Sequence, residues 1–225
     1  MIISICNEKG GCGKSTITAN LAIALYDEKN KNLVIDADPQ KSLGSFVSIR
    51  NQEGHLKKFD YIIKQQDNFF EYLCDIKEKK LKEKEFKYIL CDTGGRDSKE
   101  MRYALALSDI IIIPVIPSQF DVSVLDRVIE VVKMAKIKNN NLKVFILINL
   151  ASTNPFLTKK IEELKEYIRA IEEDYIKLID FVIFQREKYK IAIQMGLGVT
   201  EYKEKDKAYL EIENLANFIR KININ

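Results

Sequence analysis

Residues 7–16 read NEKGGCGKST. Gly10, Gly11 and Gly13 let the backbone curl until successive N–H groups face one anion, and a helix opening near Lys14 adds its positive dipole end. Such a cradle suits a nucleotide polyphosphate. Lys14 is placed to reach β- and γ-phosphate oxygens, the Ser15 hydroxyl to ligate Mg²⁺, and Thr16 to donate to the α-phosphate. The usual spacing, G-x-x-x-x-G-K-[ST], asks for glycine where this chain has Glu8; a second lysine, Lys9, follows it. Cys12 fills a variable position, where a thiol among phosphate-binding amides is expected to have a lowered pKa and to react with alkylating agents.

Two later stretches supply carboxylates. VIDADPQKS (34–42) sets Asp36 and Asp38 at the end of an apolar run, and YILCDTGG (88–95) does the same for Asp92. Gly94 and Gly95 then give a turn able to respond to a γ-phosphate. An aspartate after a strand is also a common N-cap or turn residue. Three motifs in this order, each at a strand end, favour a metal–nucleotide site instead. The chemistry they imply is hydrolysis of a β–γ phosphoanhydride, where catalysis is mostly positioning and charge neutralisation.

Those residues need a frame that brings strand ends together. Short β-branched runs occur at 2–6, 32–36, 59–63, 88–92, 109–115, 143–149 and 179–184, separated by longer segments of helical period. Continuous apolar strands with helices between them predict a doubly wound α/β fold, a mostly parallel sheet flanked by helices. Ligands in such sheets bind beyond the carboxyl ends of the strands. The segment 77–87, KEKKLKEKEFK, reads as a solvated helix end and loop. With 225 residues and 46% hydrophobic content, one domain spanning 1–225 can bury a sizeable core.

The formal charge of +3 is too small to bind nucleic acid in bulk, so any such contact needs a local basic patch. The four cysteines, Cys6, Cys12, Cys74 and Cys91, form no C-x-x-C or zinc spacing; Cys6 and Cys91 read as core residues. No secretory signal and no apolar stretch of spanning length is seen, which predicts a cytoplasmic protein.

KGGCGKST resembles the deviant Walker A motif of the ParA/MinD group of P-loop ATPases, and DADPQ resembles that group's second acidic motif. The resemblance implies ATP and Mg²⁺ as ligands. It also implies an ATP-sandwich homodimer in which Lys9 crosses to the phosphates of the second subunit. Two facing polyanions repel unless cations lie between them, and Lys9 would supply one from each side. By the same resemblance Lys9, Lys14 and Asp38 are the catalytic residues, Asp38 positioning or polarising the attacking water. Asp36 would hold its loop or approach Mg²⁺ through water, and Asp92 matches the Walker B aspartate, which holds Mg²⁺ through a water. Lys9 through Thr16, Cys12 among them, line the nucleotide; Asn149 either contacts the adenine ring or is a plain turn residue. IIPVIPSQFDVSVLD (112–126) looks like a segment of small plasmid-partition ATPases, with Asp121 more simply a helix N-cap.

Within the group, a loop beginning at residue 7 predicts a member without the N-terminal helix-turn-helix of the larger partition ATPases. Cysteines for an iron–sulfur seam and a tyrosine-rich tail are missing. A MinD-like membrane ATPase is the alternative, since 208–222, AYLEIENLANFIRKI, is amphipathic. Its polar face mixes Glu211 and Glu213 with Arg220 and Lys221, so docking on the protein's own sheet is the simpler expectation. FVIFQREKYKIAIQMGLGVTE (181–201) resembles the late segment of small ParA-type, ParF-like partition ATPases. There Arg186, Lys188 and Lys190, with Lys203, Lys205 and Lys207 beyond, would bind nonspecific nucleoid DNA in a salt-dependent way. The resemblance therefore implies partition of plasmid or chromosomal DNA, with a centromere-binding ParB-like partner stimulating hydrolysis.

Overall fold

The computed structural model describes all residues except 30, 81–85, 96, 118, 203 and 223–225, with 79–80 and 119–123 described by their backbone alone. Its centre is a seven-stranded sheet: β1 (Ile2–Ile5), β2 (Lys31–Asp36), β3 (Asp60–Ile63), β4 (Phe86–Asp92), β5 (Ile110–Val115), β6 (Lys143–Ile148) and β7 (Ile176–Leu178). The order is β3-β2-β4-β1-β5-β6-β7, with every pair parallel. The doubly wound expectation holds.

The helices are α1 (Lys14–Ala24), α2 (Ser42–Gln52), α3 (Gln66–Asp75), α4 (Lys99–Leu107), α5 (Gln119–Lys138), α6 (Thr158–Ala170), α7 (Glu187–Gln194) and α8 (Lys207–Lys221). Side chains of α1, α2, α7 and α8 share one buried cluster with Ile3, Val34, Leu90 and Ile112, whereas α3, α4, α5 and α6 share the other with Leu33, Ile89, Ile111 and Ile146. Alternate residues of each strand thus feed opposite layers, which is why the strands are apolar without a polar face. Pro114 is tolerated in β5 because β5 is paired with β1 only through Ile112, two residues earlier.

The third apolar run is a strand and the seventh is not. β7 lies at 176–178, and 179–184 continues beside β6 without a ladder. Ile179 donates to Ile146 O at 2.9 Å and Ile183 to Ile148 O at 3.0 Å, with a bend at Asp180 and Phe181 between them. Four residues on one side span two on the other, so regular pairing is lost. The charged run 77–87 is a π-turn over Ile76–Lys80 and then, from Phe86, already strand; the part at 81–85 lies outside the described residues.

In α8, Leu215 and Ile219 are buried and Phe218 and Ile222 pack against the same layer, so its apolar face is consumed by the core. Among the described residues no helix is long and apolar enough to cross a membrane.

Candidate functional site

Because β2, β4 and β1 are neighbours, the loop after β1, Asp36 and Asp92 meet at one edge of the sheet. The reversal of strand order around β1 leaves a crevice there, the usual ligand position in such a sheet. A cleft of about 880 Å³ opens at this point, running from Gly10, Lys14 and Asp38 to Arg186 and Ile212.

The loop is held from below. Asn7 donates to Pro114 O at 2.7 Å and accepts from the Lys9 amide at 3.0 Å, tying it to β5. Gly13 caps α1 with φ +90°, and a Cβ there would sit 2.4 Å from the Asn149 amide nitrogen. Both the backbone and the neighbour therefore demand glycine. Asn149 is buried and donates to Cys12 O at 2.7 Å, bracing the loop from the end of β6; its Oδ1 has no partner. Lys14 is buried and its ammonium donates to Lys9 O at 2.9 Å. The Cys12 thiol donates to the same carbonyl at 3.3 Å and is fully buried. Added Cβ atoms at Gly10 and Gly11 would meet nothing within 4 Å, so the loop's outer rim is open space. Thr16 lines the cleft beside Ser15.

The carboxylates are buried close together, Asp36 and Asp92 being register partners on β2 and β4. Ser15 donates to Asp92 Oδ2 at 2.6 Å, and Asp92 Oδ1 is buried without a partner. Burial, opposed by the Ser15 hydrogen bond and reinforced by the Asp36 charge, pushes the Asp92 carboxyl up to about 7. Burial also raises Asp36, whose two oxygens are both engaged: Tyr61 OH donates at 2.8 Å and the Asp38 amide at 3.1 Å. Through the second of these bonds Asp36 ties down the start of the Asp38 segment. Asp38 accepts from the Gln40 amide at 2.9 Å and faces Gly94, while Gly95 lies directly against Gly10. Burial pushes the Cys6 and Cys91 thiols up to about 12, as inert core residues require.

These residues fit the groups that the sequence implies. The orphaned Asp92 oxygen and the Ser15 hydroxyl are the hard donors that Mg²⁺ takes. Among the described residues no three His, Cys, Asp or Glu side chains converge as a metal site, so the remaining oxygens would come from a nucleotide and water. The open glycine rim with a buried ammonium suits phosphates.

The far wall of the cleft was not legible. Arg186 forms a forked pair with Glu211 Oε1 at 2.9 and 2.6 Å, and Tyr189 OH donates to Glu211 Oε2 at 2.9 Å. Burial and the Glu211 charge raise the Tyr189 phenol, which stays protonated as a donor. Glu211 and Tyr189 carry no local motif, and neither does Tyr61. Arg186, Lys188 and Lys190 each have an acidic neighbour: Arg186 with Glu211, Lys188 with Asp206 at 3.8 Å and Lys190 with Glu187 at 3.3 Å. The Asp121 side chain and Lys203 lie outside the described residues. Lys205 stands 5.6 Å from the Tyr209 ring, and Lys207 opens α8.

A family model described as the CobQ/CobB/MinD/ParA nucleotide binding domain matches residues 3–199. The chain is 24% identical over 198 residues to maintenance of carboxysome distribution protein A of Halothiobacillus neapolitanus, covering 88% of this chain and 85% of that protein. It is 26% identical over 270 aligned positions to a ParA family protein of Mycoplasma genitalium, covering 97% and 99% respectively. The solved MinD cell division protein of Aquifex aeolicus superposes with a TM-score of 0.74 at 22% identity, covering all of this chain and 98% of that one.

Proposed function

Since the chain belongs to the CobQ/CobB/MinD/ParA family of nucleotide-binding domains, we propose that it is a ParA-like ATPase that partitions plasmid or chromosomal DNA. The observation that carries the enzymatic part is the Ser15–Asp92 bond beside the open glycine rim, with one Asp92 oxygen buried and unpaired. Ser15 and Asp92 would hold Mg²⁺, which supplies charge neutralisation for the phosphates. Lys14 is already drawn under the loop, where a phosphate oxygen would replace Lys9 O as its acceptor. Asp38, on a segment that Asp36 anchors, orients the attacking water.

Lys9 joins two such sites. Its backbone amide is held by Asn7, and in an ATP-bound homodimer its ammonium would turn to the partner's triphosphate. Lys9→Ala is then expected to bind ATP as the wild type does but to lose nucleotide-dependent dimers in light scattering. A mutant that still dimerises with ATP rules out this role.

DNA contact is expected from the dimer, through exposed lysines around α7, under the stimulus of a centromere-binding ParB-like partner and with the protein on the nucleoid. Arg186 is committed to Glu211, and phosphates would have to displace Asp206 and Glu187 from Lys188 and Lys190. Co-sedimentation with random DNA should be ATP-dependent and fall with salt. The relative named for carboxysome distribution favours one second reading, a similar switch carrying a cargo other than DNA. In that case DNA binding persists while a plasmid or chromosome carrying a partition site is inherited as before on deletion of the gene. A MinD-like membrane anchor gains no support, since the apolar face of α8 is packed in the core.

A further inference from the structure

Asp36 is fully buried at the end of β2, next to Asp92, and both of its oxygens depend on one donor each. One donor is the amide of Asp38, two residues along. The other is the hydroxyl of Tyr61, which reaches across from edge strand β3 at 2.8 Å. The hydroxyl is seated on a third element: a Cβ at Gly44, in the first turn of α2, would lie 3.3 Å from Tyr61 O. Gly44 has no positive φ to explain it, so its use here is the space it leaves. β2, β3 and α2 thus converge on one phenol.

We propose that Tyr61 is a positioning residue for hydrolysis, fixing Asp36 so that Asp36 in turn holds the Asp38 segment against the nucleotide cleft. Without the hydroxyl, Asp36 Oδ2 is a buried acceptor with no donor, beside a second carboxylate. The carboxylate must then rotate or rehydrate, and either movement loosens its bond to the Asp38 amide. The loop from Gly10 to Thr16 shares no hydrogen bond with Tyr61, so nucleotide binding is spared.

The inference rests on the ATPase reading, with Asp38 lining the cleft. Two measurements test it. In the nucleotide-free protein, Tyr61→Phe should speed hydrogen–deuterium exchange in the peptide spanning residues 37–41. In phosphate release it should lower kcat on the order of 10-fold, with KM for ATP changing less than about two-fold. Gly44→Ala, which crowds the same hydroxyl, should lower kcat in the same manner but less, and decides the matter if Tyr61→Phe does not fold. An active wild type whose Tyr61→Phe variant matches it in kcat and exchange overturns the inference alone. So does a variant whose loss lies in KM. A wild type that releases no phosphate overturns the ATPase reading; exchange then decides separately whether Tyr61 anchors the segment.

Discussion

The two walls of the cleft are built on opposite principles. On the phosphate side, charged groups are buried with their hydrogen-bonding capacity unspent: Asp92 keeps an unpaired oxygen and the glycine rim faces open space. On the far side, Arg186, Glu211 and Tyr189 satisfy one another, and Ile183 and Ile212 supply apolar surface. Unspent capacity costs stability and is kept only where a ligand completes it, whereas a closed network shapes a wall and holds it. One side is prepared for charge and the other for shape.

The largest expected effect strikes the phosphate side. Lys14→Ala removes the buried ammonium that bonds Lys9 O beneath the loop and should lower kcat/KM for ATP by roughly 100-fold or more. Melting should change far less, and a variant that unfolds instead would show that this ammonium serves the fold. The far wall should behave in the reverse way. Glu211→Ala strips Arg186 of its acceptor, leaves Tyr189 only its longer bond to Ala208 O and should cost about 2–3 kcal/mol in urea denaturation. KM should rise with kcat nearly kept; a large fall in kcat would erase the contrast between the walls.

The smallest effect has an unusual sign. The Asp92 carboxyl lies at about 7 in the folded protein, above its ordinary value of 3.8. A raised carboxyl contributes stability that is fully present below its unfolded value and is lost as pH rises through the folded one. The nucleotide-free protein should therefore lose stability between about pH 4 and 7 from this group. Asp92→Asn should flatten that loss and raise Tm at about pH 8 by a few degrees while impairing hydrolysis. A Tm that falls, or an unchanged pH slope, would mean that Asp92 carries no such burden.

The phosphate wall was readable because its parts are contiguous. Glycines at 10, 11 and 13, with Lys14 and Ser15, act over one turn of chain, and strand-end aspartates announce themselves by the apolar runs before them. The far wall was not, because Glu211 acquires meaning only from Arg186, 25 residues away, and Tyr61 only from Asp36, also 25 away. The same distance effect misplaced the last strand. IKLIDFVIF holds two apolar stretches, and both lie beside β6, but only 176–178 keeps register. The amphipathic end of the chain likewise read as either anchor or core, and packing chose the core.

The sequence by itself determined the layered α/β frame and the phosphate loop, since strand period, glycine freedom and a helix start are properties of neighbouring residues. Only the tertiary structure decided which carboxylates are paired and which are left open, because a buried charge is settled by donors that arrive from distant strands. It also decided that the basic side chains around α7 lie beside acidic partners, a matter of folding geometry that composition does not contain.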